Sequence, residues 1–151
     1  MMQWQKLHQQ LLSAELDASV LDDARPVIYV DTRQQLLCQL SAEDAVVQYY
    51  PVSTSRFGLG QQLGSFKTPI GIHRIAQKIG GNEPLGRVFR SRVATEDICL
   101  AEDYEGDEDV ISSRILWLEG LQKGLNRGDQ IDTFARYIYI HGTADEANIG
   151  H

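Results

Sequence analysis

The residue with the clearest capacity for chemistry is His141, which follows an alternating apolar segment near the end of the chain. The segment reads Tyr137-Ile-Tyr-Ile and continues into His141, Gly142 and Thr143. The alternation predicts a β-strand over 137–140 that holds the imidazole at its tip. Because histidine titrates near neutral pH, a rigidly held imidazole can act as a general base. On this pattern alone, a hydrogen-bonded core histidine without a chemical role is the simpler interpretation.

The two cysteines are the other candidates for covalent chemistry. Cys38 and Cys99 lie far apart, with no CxxC and no neighbouring histidine pair, so a zinc site is not predicted. Their number allows a disulfide, but two buried free thiols are the simpler expectation because cysteine is among the most buried residue types. The acidic run 102–109 lacks the glycine and glutamate positions of a calcium loop, so we expect a solvated loop and no metal.

Composition and charge describe an ordinary globular domain and exclude several classes of protein. The chain has 151 residues, 42% hydrophobic and 23% charged, with a formal net charge of −7. That charge argues against a nucleic-acid partner, because phosphate neutralisation needs clustered lysine and arginine. The sequence contains no apolar stretch long enough to span a bilayer. The first residues lack the apolar core of a secretory signal peptide, which leaves a cytoplasmic location open.

The remaining pattern predicts a mainly β domain with an amphipathic helix at its N-terminus. Apolar residues at helical spacing over 3–21 predict that helix within 1–25, packed on a domain that covers 26–151. Short apolar or alternating runs separated by polar turns predict strands at 27–30, 35–40, 45–52, 70–75, 112–118 and 137–140. Residues 53–66 and 76–94 contain several glycines and are predicted to be loops, the second a long excursion.

Four segments together resemble the L,D-transpeptidase catalytic-domain family. They are Pro51-Val-Ser-Thr-Ser-Arg56 with its following glycine loop, Gly64-Ser-Phe-Lys-Thr-Pro-Ile-Gly71, Arg114-Ile-Leu-Trp-Leu118 and Tyr137-Ile-Tyr-Ile-His-Gly-Thr143. The resemblance runs from about Val27 to His151. It implies a mixed β-sandwich with a groove, no cofactor, and cleavage of peptidoglycan stem peptides through a cysteine thioester. It also implies that His141 is the general base, with Gly142 and Thr143 as supporting residues.

One part of the family pattern does not occur in this sequence. The family's nucleophile lies in a Ser-His-Gly-Cys segment shortly after the His-Gly strand, whereas this sequence stops at His151. Neither Cys38 nor Cys99 matches that segment, because both precede the histidine. A base without a thiolate gives no acyl-enzyme. We therefore expect the 151 residues alone to be inactive, as a fragment of an enzyme rather than a pseudoenzyme.

The resemblance also suggests partners and substrate contacts. Arginines can pair with the carboxylates of a stem peptide or muropeptide. The candidates for this role are Arg87, Arg90 and Arg114, with Arg92 and Lys67 as further choices. His73 and Trp117 are expected to pack in the core. The family implies the cell envelope or periplasm, and an exposed C-terminal region leaves a dimer open.

Two other functions fit the same residues. A cytosolic L,D-carboxypeptidase of muropeptide recycling would use water as acceptor, and the absence of a visible signal peptide favours it. A β-rich module that binds cell-wall peptides without chemistry is the alternative from another class. Such a module would keep its affinity for ligand after His141→Ala.

Overall fold

A computed structural model describes residues 27–40, 46–106 and 108–150, which fall into two compact units. The first contains residues 27–58 together with 149–150, and the second contains residues 59–148. The helix predicted within 1–25 lies outside the described residues. No helix in the described part of the chain is long and apolar enough to cross a lipid bilayer.

The first unit is built on an antiparallel meander of three strands. These are β1 (Val27–Asp31), β2 (Leu36–Leu40) and β3 (Val46–Pro51), in the spatial order β1-β2-β3. Leu37, Cys38 and Leu40 of the central strand are buried. The β1–β2 turn is stabilised by Asp31, whose Oδ1 accepts the backbone N–H groups of Arg33 and Gln34 at 2.9 and 3.1 Å. All three strands agree with the predicted ranges to within one residue.

The second unit carries the site and is organised around one long strand. Its strands are β4 (His73–Ile79), β5 (Arg87–Arg90), β6 (Val93–Ile98), β7 (Ile111–Gly120) and β8 (Tyr139–Thr143). They form an antiparallel sheet in the order β4-β7-β5-β6, and β8 also pairs with β7. The core lies on β5 and β7, where Val88, Phe89, Ile115 and Trp117 are buried. Strand β7 therefore connects the strand that bears His141 to the rest of the sheet.

The expected mainly β class is confirmed, but two details of the predicted layout are wrong. Each pair of strands in the described residues is antiparallel, rather than mixed. Residues 76–94, predicted to be a loop excursion, contain the end of β4, all of β5 and the start of β6. Their glycines, proline and arginines resemble loop composition, but pairing between strands distant in sequence overrides that local tendency.

The fourth strand also begins later than predicted, at His73 instead of Ile70. The buried side chain of Asn126 explains the shift, because its amide donates to the carbonyls of Ile70 and Ile72, both at 3.0 Å. The Gln122 Oε1 accepts the N–H of Ile72 at 2.7 Å. Side chains thus satisfy backbone groups over 70–72 that a neighbouring strand would otherwise pair.

Candidate active site

His141 is fixed by the pairing of β8 with β7. It is the third of five residues in β8 and lies opposite Ile115, whose side chain is 0% exposed. The expected position at the tip of a strand is therefore wrong: the strand begins at Tyr139 and continues through Thr143. The residues before and after His141 also pair with β7, so its backbone is held more firmly than at the end of a strand.

A β-bulge in β7 lies directly opposite His141. Gly142 pairs with Ser112 and His141 pairs with Ile115, so residues 113–114 of β7 have no pairing residue in β8. Ser113 has φ +66, in the left-handed region that non-glycine residues rarely adopt. Bulges bend a strand locally and redirect side chains, and they are frequent beside active sites. The bulge thus bends β7 at the position opposite His141.

Side chains and carbonyls of the second unit hold this bulge in place. The Ser113 hydroxyl accepts the N–H of Gly86 at 2.9 Å. Arg114 donates from Nη1 to the carbonyl oxygens of Glu83 and Ser113 at 2.8 and 2.6 Å. Arg114, one of the predicted substrate-binding residues, therefore stabilises the bulge through its guanidinium. A substrate-binding role for Arg114 stays a prediction.

Gly142 allows β8 to approach β7 closely beside the histidine. A Cβ atom at this position would lie 2.5 Å from the Ser112 carbonyl oxygen and 3.1 Å from the Ser113 Cβ. Real Cβ atoms do not come so near a backbone oxygen, so a side chain here would push the strands apart. Steric crowding thus explains why the residue after His141 is a glycine.

The hydrogen bond of His141 determines which ring nitrogen can take a proton. Its Nδ1 lies 2.8 Å from the carbonyl oxygen of Gly142. A carbonyl oxygen can only accept, so Nδ1 carries the hydrogen in the neutral ring and Nε2 carries the lone pair. Nε2 has no hydrogen-bond partner within the described residues. The half-buried imidazole therefore presents a basic nitrogen, as general-base chemistry requires.

Thr143, the other predicted supporting residue, acts on the turn that follows β8. Its hydroxyl oxygen accepts the backbone N–H of Asp145 at 3.1 Å. The Asp145 carboxylate in turn accepts from the side-chain amide of Asn148 at 3.0 and 3.1 Å. Thr143 thus orients the chain that leaves the site, and a direct role in orienting the imidazole stays a prediction.

His73 supports the chain that enters β8. Its Nδ1 donates to the carbonyl of Gly71 at 3.1 Å, which leaves Nε2 to accept from the Thr133 hydroxyl at 3.0 Å. The N–H of Ile138 donates to the Thr133 carbonyl, and the N–H of Leu118 donates to the Ile138 carbonyl at 3.0 Å. His73 thus does more than pack in the core, because it fixes the segment just before β8.

We expect the stability of the protein to fall below pH 6.5 because of His73. Burial lowers the pKa of His73 below its ordinary value of 6.5, an effect that its hydrogen bond to Gly71 partly opposes. As the pH falls through 6.5 the unfolded chain gains a proton that the folded protein excludes, so stability falls until the pH reaches the lowered pKa. Denaturant unfolding at pH 7.5 and 5.0 measures this loss.

His73→Gln provides the control for this titration, since glutamine can hydrogen-bond but does not ionise near neutral pH. The free energy of unfolding of His73→Gln should change less between the two pH values than that of the unmodified protein. Equal pH dependence in the two proteins would contradict the assignment to His73.

The other two predicted substrate-binding arginines have carboxylate partners. Arg87 pairs with Glu83 at 2.8 Å and also donates to the carbonyl of Thr95 at 3.0 Å. Arg90 is exposed and lies 3.8 Å from the Asp97 carboxylate. The structure places neither in contact with His141 among the described residues. The structure shows these two ion pairs, and a role of either arginine in binding substrate stays a prediction.

Arg92 lies closer to the catalytic strand than these predicted arginines. It donates from Nη1 to the Tyr139 hydroxyl at 3.1 Å, and its guanidinium lies over the rings of Trp117 and Tyr137. The hydrogen bond to Tyr139 raises the pKa of Arg92 further above its ordinary value. The spacing Tyr139-x-His141 carried a signal for part of this cluster, because residues two apart share a face of a strand. Tyr137 lies before β8 and has φ +57, so the alternation does not place it.

The two cysteines lie in different units and in different surroundings. Both are free thiols, so the disulfide that their number allowed is not formed. Cys38 is buried in the first unit, and burial raises the pKa of its thiol, which disfavours the thiolate. Cys99 is half-buried and lines a shallow cavity together with Asp103, Glu105 and Glu108. The Cys99 thiol donates weakly to the carbonyl oxygen of Leu100 at 3.9 Å.

An antiparallel β-unit with a histidine fixed opposite a bulge defines a candidate enzyme site, and comparison with known families identifies its kind. The family model of the L,D-transpeptidase catalytic domain (YkuD) matches residues 25–150. The chain therefore belongs to the L,D-transpeptidase catalytic-domain family. Membership implies acyl-transfer chemistry on peptidoglycan and a function in the cell envelope. Comparison with curated proteins and with solved structures gives no significant match.

Proposed function

We propose that this protein cleaves peptidoglycan stem peptides through a cysteine thioester and that His141 is its general base. The observation that carries the proposal is the state of the imidazole: Nδ1 is tied to the Gly142 carbonyl at 2.8 Å, which leaves Nε2 as the proton acceptor. The pairing of β7 with the residues before and after His141 supports the proposal, since a base must be held in one geometry. Family membership provides the substrate class.

In the proposed reaction, His141 Nε2 takes the proton of a cysteine thiol, and the thiolate attacks the carbonyl carbon of the scissile peptide bond. The C–N bond then breaks, and the leaving amine takes its proton from the imidazolium. The resulting thioester is resolved by an amine of a second stem peptide or by water. The amine completes transpeptidation, whereas water completes carboxypeptidase cleavage.

The proposed nucleophile is not one of the two cysteines in the 151 residues. Cys38 is buried, and Cys99 has acidic neighbours and makes no contact with His141 in the described part of the chain. The family pattern expects the cysteine in a Ser-His-Gly-Cys segment, which does not occur within the 151 residues. The 151 residues by themselves are accordingly proposed to bind substrate without turning it over.

The test compares the 151-residue chain with the protein expressed from its complete gene. Each is incubated with a tetrapeptide stem, with and without an excess of an amine acceptor, and the products are analysed by mass spectrometry. We expect turnover by the complete gene product and none by the 151 residues. Turnover by the 151 residues would contradict the assignment of the nucleophile.

The products also distinguish the two reactions. A cross-linked dimer in the presence of acceptor identifies the transpeptidase. Release of the terminal residue without any dimer identifies the carboxypeptidase. Binding of the stem peptide with no turnover by the complete gene product, and affinity unchanged by His141→Ala, would replace both with the peptide-binding module.

A further inference from the structure

Three aromatic side chains hold the guanidinium of Arg92 in one position. Its central carbon lies 5.0 Å from the centre of the Trp117 ring and 4.8 Å from that of Tyr137. The Tyr139 hydroxyl accepts its Nη1 donor at 3.1 Å. Trp117 is in turn fixed by stacking on Phe134, with ring centres 4.0 Å apart. We refer to Arg92, Trp117, Tyr137 and Tyr139 as the Arg92 cluster.

This cluster shares a face of the sheet with His141. Tyr139 pairs with Trp117 and His141 pairs with Ile115, and in each strand these residues are two apart. Side chains two apart in a strand point to the same face, with Cα atoms separated by about 7 Å. The Tyr139 ring also meets the Trp117 ring edge-on, at 5.7 Å between centres. Arg92 is thus hydrogen-bonded to a same-face neighbour of the base.

The Arg92 guanidinium retains donors for a ligand. An arginine has five N–H donors, and Tyr139 accepts from one of its nitrogens. The ion pairs found in the described residues involve Arg74, Arg87 and Arg90, and not Arg92. The Trp117 and Tyr137 rings lie side by side against the guanidinium, with centres 5.6 Å apart. The planar fork of an arginine binds carboxylates in a bidentate manner.

The backbone that presents Arg92 is strained. Arg90 pairs with Val93, so Ser91 and Arg92 form a two-residue hairpin connection. Their φ angles are +48 and +67, which this kind of turn requires and which glycine, asparagine and aspartate adopt most easily. The contacts of the arginine within the cluster compensate for a conformation that its own side chain disfavours.

We propose that Arg92 binds a carboxylate of the stem peptide beside the scissile bond, an inference that rests on the proposed function. Tyr139 orients the guanidinium, and Trp117 and Tyr137 hold it in place through their rings. The bound carboxylate belongs either to the terminal residue that is released or to a residue farther up the stem. Both sources offer the same planar anion to the same fork.

The experiment measures kcat and KM of the complete gene product for three stem tetrapeptides. The first is unmodified, the second has a terminal carboxamide, and the third has its side-chain carboxylates amidated. We expect the unmodified protein to disfavour one of the amidated substrates about 10- to 100-fold in kcat/KM, as loss of one charge-assisted pair predicts. The substrate that is disfavoured identifies the source of the carboxylate.

Arg92→Gln should lose this discrimination by processing the free and amidated substrates at similar rates, mainly through a higher KM for the free acid. Arg92→Lys should retain part of it, because it keeps the charge without the fork. Arg127→Gln removes the same charge from an exposed position outside the cluster and should retain all of it. Thermal unfolding of each variant shows whether the fold is intact.

Two outcomes would overturn the assignment, and they differ from a failure of the proposed function. Discrimination unchanged in Arg92→Gln would show that Arg92 only packs against the rings. A uniform loss of rate on all three substrates, with discrimination retained, would show the same. If the unmodified protein turns over none of the three, the proposed function fails and this inference falls with it. If Arg92→Gln does not fold, the same ratio of kcat/KM for the free and amidated substrates is measured in Arg92→Lys and Tyr139→Phe. A ratio unchanged in both variants would overturn the assignment.

Discussion

Replacing His141 with alanine should lower kcat/KM for stem-peptide cleavage by about 10²–10⁴-fold, the usual contribution of a positioned general base. The physical reason is the loss of Nε2, the ring nitrogen that the Nδ1 hydrogen bond to Gly142 leaves with its lone pair. The fold should persist, because replacement of this half-buried side chain should cost about 1 kcal/mol, the typical effect of a single substitution. The measurement is steady-state kinetics of the complete gene product over pH 5–9.

The pH profile separates this chemical role from a structural one. In the unmodified protein the acidic limb of kcat/KM reports the protonation of the free enzyme's base. That limb should disappear in His141→Ala and persist in His73→Gln, where the other described histidine of the second unit is replaced. An acidic limb that survives in His141→Ala would show that another group acts as the base.

Gly142→Ala should impair both stability and activity, because the new Cβ would lie 2.5 Å from the carbonyl oxygen of Ser112. Overpacking of this kind costs about 1–3 kcal/mol. Relief requires β8 to move away from β7 at His141, and a displacement of about 1 Å at a catalytic group can cost about 10²-fold in rate. Chemical denaturation and kcat/KM measure the two effects.

Gly81→Ala is the matched control, because a Cβ at this glycine meets nothing within 4 Å. It has no positive φ, so alanine should leave stability unchanged or raise it slightly. Equal effects of the two substitutions would show that the close approach of β8 and β7 has no special importance.

Local patterns were sufficient for the first unit. Its three strands are apolar runs bounded by polar turns, and the Asp31 carboxylate stabilises the first turn through neighbours only two and three residues away. Information of this kind is contained in a short window of sequence.

The second unit depends on contacts between distant residues, and there the prediction was less complete. Strand β5 and the start of β6 were missed because the arginines and glycines of residues 76–94 resemble a loop. Pairing of Val88 with Ser112 makes β5 part of the sheet. Ile70 to Ile72 resemble a strand but are held by Asn126, a residue more than fifty positions later. No local pattern reports such a partner.

The sequence singled out His141, whereas the surroundings of His141 became visible only in the structure. The alternation before His141 and the His-Gly-Thr motif singled out the histidine. The motif alone did not reveal that a side chain at position 142 would collide with the backbone of Ser112. The bulge at 113–114 and the approach of Arg92 to Tyr139 arise from tertiary structure. They could not be derived from residue spacing because the hairpin that carries Arg92 was not predicted.

The bulge also limits how the length of this chain can change. With residues 113–114 in place, Ile115 and Trp117 lie opposite His141 and Tyr139 on one face. Because side chains alternate with a period of two, deletion or insertion of a single residue here would exchange the two faces of β7 beyond it. Trp117 would then turn away from the face that carries His141, whereas a change of two residues would leave each side chain on its present face. Length variation in this segment is therefore expected in even steps.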